Sequence, residues 1–232
     1  MTIYALYAHG DLPWDADAAH WFRAAQVRLA ADGGAWALLR RGLFPDVAVG
    51  DWDSLGPEGL ARLRAAGTAL HTFPPEKDAT DLELALHYAV EHGARQIHVF
   101  GALGGRWDQT AANLLLLAHP RLRRVRVVLY HQGQRVWLLQ GRAVIPGQPG
   151  DTLSLIPVGG PARGVTLRGV AYPLDDGALP WASTLGVSNR LTQAQAEVVV
   201  REGMALVVHI PQAVQQQVEA AKNSASHSFP GG

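Results

Sequence analysis

Over residues 1–130, short apolar runs alternate with helix-like segments, and three of the six runs stop directly at a glycine or an aspartate. The runs are Ile3 to Ala8, Val27 to Ala31, Val47 to Val49, Ala69 to Phe73, Ile97 to Phe100 and Val125 to Tyr130. Helical patterns fall between them at residues 17–26, 35–41, 57–66, from about Thr80 to Gly93, and 108–118. In the fourth of these, Leu82, Leu86, Ala89 and Val90 make one stripe at i, i+4, i+7 and i+8. Strands that alternate with helices predict a mostly parallel sheet with helices on its faces. The expected fold class is therefore α/β for this half.

After Tyr130 the pattern changes. Short strand candidates follow at Arg135–Leu139, Ala143–Ile145, Thr152–Ile156, Gly164–Leu167, Ala196–Val200 and Ala205–Ile210, separated by Gly and Pro. Closely spaced strands with turn signals predict a C-terminal all-β sandwich or barrel-like domain. The expected division is an α/β catalytic domain at 1–130, a β domain at 135–210, and a tail at 211–232 that is either a short helix or disordered.

Composition narrows the function. The chain has 232 residues, 20 Lys+Arg against 20 Asp+Glu, 48% hydrophobic and 17% charged residues. That balance is globular, and it removes the electrostatic case for a general nucleic-acid or anionic-membrane binder. The absence of cysteine excludes disulfides, zinc–thiolate sites and cysteine nucleophiles. No segment approaches the roughly 20 apolar residues of a membrane span, and the N-terminus has no basic region before its short apolar run. The expected location is the cytoplasm.

Six aspartates stand where a parallel sheet gathers ligand groups: Asp32, Asp51, Asp53, Asp78, Asp81 and Asp108. Each follows an apolar run, lies in a Gly-rich turn, or opens a helix, and such positions converge on the carboxyl edge of the strands. In Gly50-Asp51-Trp52-Asp53-Ser54, an extended backbone points both carboxylates the same way. Oxygen ligands held that close suit Mg²⁺ or Ca²⁺. Taken alone, this D-x-D also fits a turn cap beside a solvated carboxylate. In Lys77-Asp78-Ala79-Thr80-Asp81, Thr80 and Glu83 form a capping box. The mix of Lys77, Asp78 and Asp81 suits a site for both Mg²⁺ and phosphate. In Gly101 to Gln109, a glycine-rich turn between strand and helix offers backbone N–H groups to an anion, with Arg106 beside it. A tight connection with Asp108 as N-cap is an equal reading of that segment. The histidines look scattered: none forms a ligand pair, and His87 with Glu91 reads as a helix-surface pair.

Three segments taken in order, ADGGAWALLRRGLFPDVAVGDWDSLGPE, PPEKDATDLELALHYAVEHG and GALGGRWDQTAANLLLL, resemble the blocks of the thiamine pyrophosphokinase (thiamin diphosphokinase) family. A fourth, GVTLRGVAYPLDDGALPWASTLGVSNRL, resembles that family's thiamine-side block. The resemblance covers about Ala31 to Leu191. It implies an α/β nucleotide-binding domain followed by a β-sandwich, and a homodimer with active sites between subunits. It implies transfer of the β,γ-pyrophosphoryl group of ATP to thiamine, giving thiamine diphosphate and AMP. By motif match, Asp51, Asp53 and Asp81 would hold Mg²⁺, with Asp78 and Asp108 also catalytic. Asp32, Lys77, Thr80, Arg106 and Gln109 would line the ATP site, and Ser183, Thr184, Ser188 and Asn189 would lie near thiamine. Trp181 is a candidate to stack on the thiazolium, and packing in the β core is the competing reading. Departures are Trp52 where Phe is more usual, Gln109 where many bacterial members carry His, and a less Gly-rich loop at His9-Gly10-Asp11. The alternatives are a pyrophosphokinase acting on another heterocyclic alcohol such as a hydroxymethylpterin, a non-catalytic thiamine or nucleotide sensor, and a Mg²⁺-dependent phosphohydrolase.

Overall fold

The computed structural model describes residues 2–8, 12–74 and 78–217, and the chain divides into two compact units, Met1–His131 and Gln132–Gly232. Lys77 and the loop at His9-Gly10-Asp11 lie outside the described residues.

In the first unit six strands form a sheet: β1 (Ile3–Tyr7), β2 (Val27–Ala31), β3 (Val47–Gly50), β4 (Ala69–Thr72), β5 (Gln96–Phe100) and β6 (Arg126–His131). Their order is β6-β5-β1-β2-β3-β4, and every neighbouring pair is parallel. Helices α1 (Ala16–Ala24), α2 (Gly33–Leu39), α3 (Gly56–Ala65), α4 (Asp81–Glu91) and α5 (Trp107–Leu116) connect them. The central strands read as unbroken apolar runs because both faces are covered. All four residues of β3 are buried, as are Tyr4 to Tyr7 and Ile97 to Phe100. Aromatic stacking ties β1 to β5: the Tyr7 and Phe100 rings lie 5.3 Å apart, and the Tyr7 hydroxyl donates to Ala18 O at 3.1 Å. Thr80 caps α4 as expected, its Oγ1 accepting from Glu83 N at 3.2 Å, which is the Thr80 half of the capping box. The chain leaves β1 towards β2 and later returns to β5 on the other flank of β1. That reversal is the switch point at which open α/β sheets bind ligands.

The second unit is built from antiparallel strands: β7 (Gln134–Pro146), β8 (Thr152–Pro157), β9 (Ala162–Arg168), β10 (Leu174–Leu179), β11 (Asn189–Arg190) and β12 (Gln195–Ile210). Two of them correct the sequence reading. The pairs Arg135–Leu139 with Ala143–Ile145, and Ala196–Val200 with Ala205–Ile210, are each one continuous strand, of 13 and 16 residues. The interruptions that looked like turns are bends within those strands, with Gly141 and Gly203 at φ +86° and +81°. At the bend β12 changes partners on one side: Glu197 to Glu202 pair with β9, and Ala205 to Ile210 with β8. A long strand that bends and switches partners turns a sheet through a corner, which gives a layered β unit. The largely exposed β10 and the two-residue β11 carry too little apolar periodicity to be read from sequence. Beyond β12, residues 212–217 are helical, and the remaining tail lies outside the described residues.

A buried acid anchors this last segment. Asp151 is 4% exposed and accepts from Gln212 N at Oδ1, and from Gln148 N and His209 Nε2 at Oδ2, all at 2.9 Å. Burial pushes the Asp151 carboxyl up, but the two backbone N–H groups and His209 outweigh it and hold it below the usual carboxylate range. A carboxyl depressed in the folded state contributes stability above its unfolded pKa of about 3.9 and loses it as pH falls through the lower folded value. Asp151→Asn should therefore destabilise the protein at pH 7, and the gap from wild type should narrow below about pH 4. Denaturant unfolding of both proteins across this range measures it.

Candidate functional site

A cavity of about 410 Å³ opens at the switch point of the first unit, lined by residues that include Ala8, Asp32, Thr80, Asp81, Gly101, Arg106, Asp108, Gln109 and Asn113. Four separate segments meet there: the end of β1, the end of β2, the first turn of α4, and the stretch that runs from the end of β5 into α5. Of the expected site residues the cavity gathers Asp32, Thr80, Asp81, Arg106, Asp108 and Gln109; Asp51, Asp53 and Asp78 are not among its lining.

Asp32 stands between β2 and α2 with φ +41°, and its side chain makes no cap bond to the helix. Its Oδ1 accepts from Ser54 Oγ at 2.9 Å, and its N–H donates to Val49 O at 2.7 Å. Gly50 permits this approach, because a Cβ there would lie 3.1 Å from Asp32 Cα. Asp32 is thereby tied to Val49, just before the 50–54 turn, and to Ser54 at its far end.

That turn differs from the extended D-x-D geometry expected from sequence. Trp52 lies in the left-handed region at φ +73°, so the backbone between Asp51 and Asp53 folds back. The cause is burial of the indole: Trp52 is 9% exposed, and its Nε1 donates to Thr72 Oγ1 at 2.8 Å. Asp51 Oδ1 accepts from Asp53 N at 3.3 Å, the side-chain-to-backbone contact of an Asx turn. Asp51 is half-buried, while Asp53 and Asp78 are exposed.

The glycine-rich turn is held by α5. Asn113 Nδ2 donates to Ala102 O at 2.7 Å, and Thr110 Oγ1 donates to Gly104 O at 3.4 Å. Gly101, Gly104 and Gly105 all have positive φ, a path that side-chain-bearing residues adopt only at a cost. Asn113 escaped the sequence reading; its signal is a lone amide in an apolar stretch, one turn after Gln109 on the same helix face. Asp108 is not the N-cap of α5: Arg106 occupies that place without a side-chain cap bond. Asp108 lies in the first turn and takes a two-pronged contact from the Arg106 guanidinium, by Nε at 3.1 Å and by a second nitrogen. That hydrogen bonding holds the Asp108 carboxyl below its ordinary range and raises Arg106. Both side chains are exposed, so the pair exchanges readily for another anion or cation.

In the second unit the expected thiamine-side residues divide into two kinds. Asn189 is buried and committed to the backbone: Oδ1 accepts from Tyr172 N and Arg190 N, and Nδ2 donates to Tyr172 O. Ser188, at φ +64°, donates its N–H to Ser154 Oγ at 2.9 Å, and Ser183 Oγ accepts from Leu185 N at 3.2 Å. Thr184 is exposed. Trp181 is 54% exposed, which rules out the core-packing reading, and Tyr172, Leu185 and Val187 are exposed apolar residues of the same segment.

Comparison with known proteins bears on the family and the fold. Residues 18–129 match the family model for the thiamin pyrophosphokinase catalytic domain, and residues 143–205 match that for the thiamin pyrophosphokinase vitamin B1 binding domain. A thiamine pyrophosphokinase of Bacillus subtilis (strain 168) is 31% identical over 182 residues, covering 78% of this chain and 85% of that protein. Thiamine pyrophosphokinase 3 of Oryza sativa subsp. japonica is 28% identical over 214 residues, 81% of this chain and 79% of its own. Among solved structures, a Bacillus subtilis thiamine pyrophosphokinase superposes with a TM-score of 0.80 at 28% identity, covering 91% of this chain and 99% of that one. The thiamin pyrophosphokinase from Geobacillus thermodenitrificans superposes with a TM-score of 0.76 at 32% identity, covering 90% and 97%.

Proposed function

Because this chain belongs to the thiamine pyrophosphokinase family, we propose that it transfers the β,γ-diphosphoryl group of ATP to the hydroxyl of thiamine, giving thiamine diphosphate and AMP. The observation that supports this best is the switch-point cavity, where carboxylates, an arginine and a glycine-rich turn at a helix start share about 410 Å³.

The carboxylates suit a hard cation. Among the described residues, the titratable groups lining the cavity are Asp32, Asp81, Arg106 and Asp108, with no imidazole or sulfur. Asp51, Asp53 and Asp81 would hold Mg²⁺, which when bound neutralises phosphate charge. Asp32, with Thr80 and Gln109, borders the nucleotide. The N–H groups of the glycine-rich turn and the start of α5 face an anion favourably. Arg106 exchanges Asp108 for phosphate and stabilises charge on the transferred group, a role that Lys77 would share. The thiamine hydroxyl attacks the β-phosphorus and the α,β-bridging bond breaks, so the task is mainly positioning and charge neutralisation. Asp78 and Asp108 are the candidate proton acceptors. While Arg106 grips Asp108 its basicity is low, and release of that grip by phosphate restores it. Trp181, Ser183, Thr184, Ser188 and Asn189 form the thiamine side, where an exposed indole suits a cationic ring. Asn189 shapes that segment through its backbone bonds. The exposed apolar residues at 172–187 support assembly as a homodimer.

Purified protein incubated with ATP, Mg²⁺ and thiamine should yield AMP and thiamine diphosphate in equal amounts, separated by chromatography. Formation of ADP, or of AMP without thiamine diphosphate, overturns the proposal.

A further inference from the structure

Away from the cavity lining, on the same helix that supplies Thr80 and Asp81, three ligand-type side chains converge. Glu83 and His87 lie one turn apart on α4, and His119 comes from the segment after α5. One donor atom from each lies within 4.8 Å of the others, and all three residues are half-buried. The two imidazole rings are 4.9 Å apart. This corrects the reading of the histidines as scattered: the pairing is made by the fold, since the 3₁₀ turn Pro120–Leu122 packs on α4 and carries His119 to it. Glu91, the expected helix-surface partner of His87, still acts on that ring electrostatically and is also engaged by Arg121 at 3.5 Å.

His87 has a buried Nε2 without a hydrogen-bond partner among the described residues. A buried nitrogen left unmatched is costly in a native structure and calls for a ligand. We propose that Glu83, His87 and His119 form a binding site for a late first-row divalent cation of the Zn²⁺ class, which clips α4 to the segment following α5. Two imidazoles and a carboxylate are the donor set of three-ligand zinc sites, with a fourth position left to water. Tetrahedral zinc sets such donors roughly 3.4 Å apart, so the proposed site requires the three side chains to draw together by about an ångström. Metal binding needs neutral rings. Burial first, then Arg121 and His119, lower the His87 pKa against the opposing pull of Glu83 and Glu91, the direction that favours a neutral ring. His119 is anchored by a 3.2 Å bond accepted at Nδ1 from Arg121 N–H, and binding a cation through that ring exchanges this long contact for a metal bond. The donors differ from the all-carboxylate set assigned to Mg²⁺, so the two cations are sorted by ligand chemistry.

The test is calorimetric titration of chelator-treated protein with Zn²⁺ in saturating Mg²⁺. One Zn²⁺ should bind per chain. His87→Ala and His119→Gln should each weaken it at least about tenfold, while Asp53→Ala leaves it unchanged. His119→Gln carries the test should His87→Ala fail to fold. No binding at tens of micromolar Zn²⁺, unchanged affinity in the histidine variants, or loss of binding in Asp53→Ala instead would each overturn the site.

Discussion

Asp53→Ala is expected to lower kcat/KM by about a thousandfold or more while leaving the fold intact. Removing one preorganised charge-stabilising group from an active site typically costs about 10²–10³ in rate, and a proposed metal ligand belongs at the upper end. The fold is spared for a separate reason. Asp53 is exposed, and its contact with Asp51 is made by its backbone N–H, which alanine keeps. Surface changes of this kind stay within about 0.5 kcal/mol. Loss of the Asp53 charge also relieves repulsion of Asp51, so stability does not fall with activity. The check is steady-state kinetics at saturating Mg²⁺ beside thermal unfolding. Turnover within tenfold of wild type would remove Asp53 from metal binding, and a large fall in Tm would mean that it holds the 50–54 turn together.

How far the sequence reveals these residues depends on whether local pattern or tertiary packing decides the outcome. Strand β2 runs from Val27 to Ala31 as the apolar run predicts, and Thr80 caps α4 as its spacing with Glu83 predicts. Both are local effects. The six first-unit strands pair in parallel because continuous apolar runs demand cover on both faces, which is again visible in the residues. The D-x-D turn is different. Its extended form was the simplest local expectation, and a buried indole held by Thr72 from β4 overrides it. The bends in β7 and β12 are likewise decided by partners distant in sequence, because a glycine within a strand and a glycine in a turn look alike until the pairing is known. The Glu83–His87–His119 cluster is legible only in part. The i, i+4 spacing of Glu83 and His87 is in the sequence, but the approach of His119 requires the 3₁₀ turn to pack on α4.

The second large effect falls on stability, at Gly34 in the first turn of α2. A Cβ at this position would lie 1.9 Å from Tyr7 O and 2.5 Å from Tyr7 C. Those are backbone atoms of β1, the strand at the switch point, so no side-chain rotation can relieve the clash. Gly34 does not have a left-handed backbone, and alanine in an ordinary helical position would be favourable by up to about 1 kcal/mol. Any loss therefore measures the contact and not the conformation. Overpacking costs typically 1–3 kcal/mol and occasionally more. With the clash set against fixed backbone, Gly34→Ala should cost at least about 3 kcal/mol, a large part of a total stability of roughly 5–15 kcal/mol. For a chain of this size that is a fall in Tm of roughly 6–12 °C. Gly42→Ala is the control, because Gly42 has φ +69° and nothing within 4 Å of its added Cβ. It should lose only about 1 kcal/mol, from backbone conformation alone. Denaturant unfolding of the two variants separates the causes: equal small losses would mean that α2 does not pack so tightly on β1. If the contact is as close as the geometry gives, Gly34→Ala that still folds should also bind ATP more weakly. To fit the methyl, α2 must move away from β1, and Asp32 and Ala8, which border the cavity, move with the two elements that carry them.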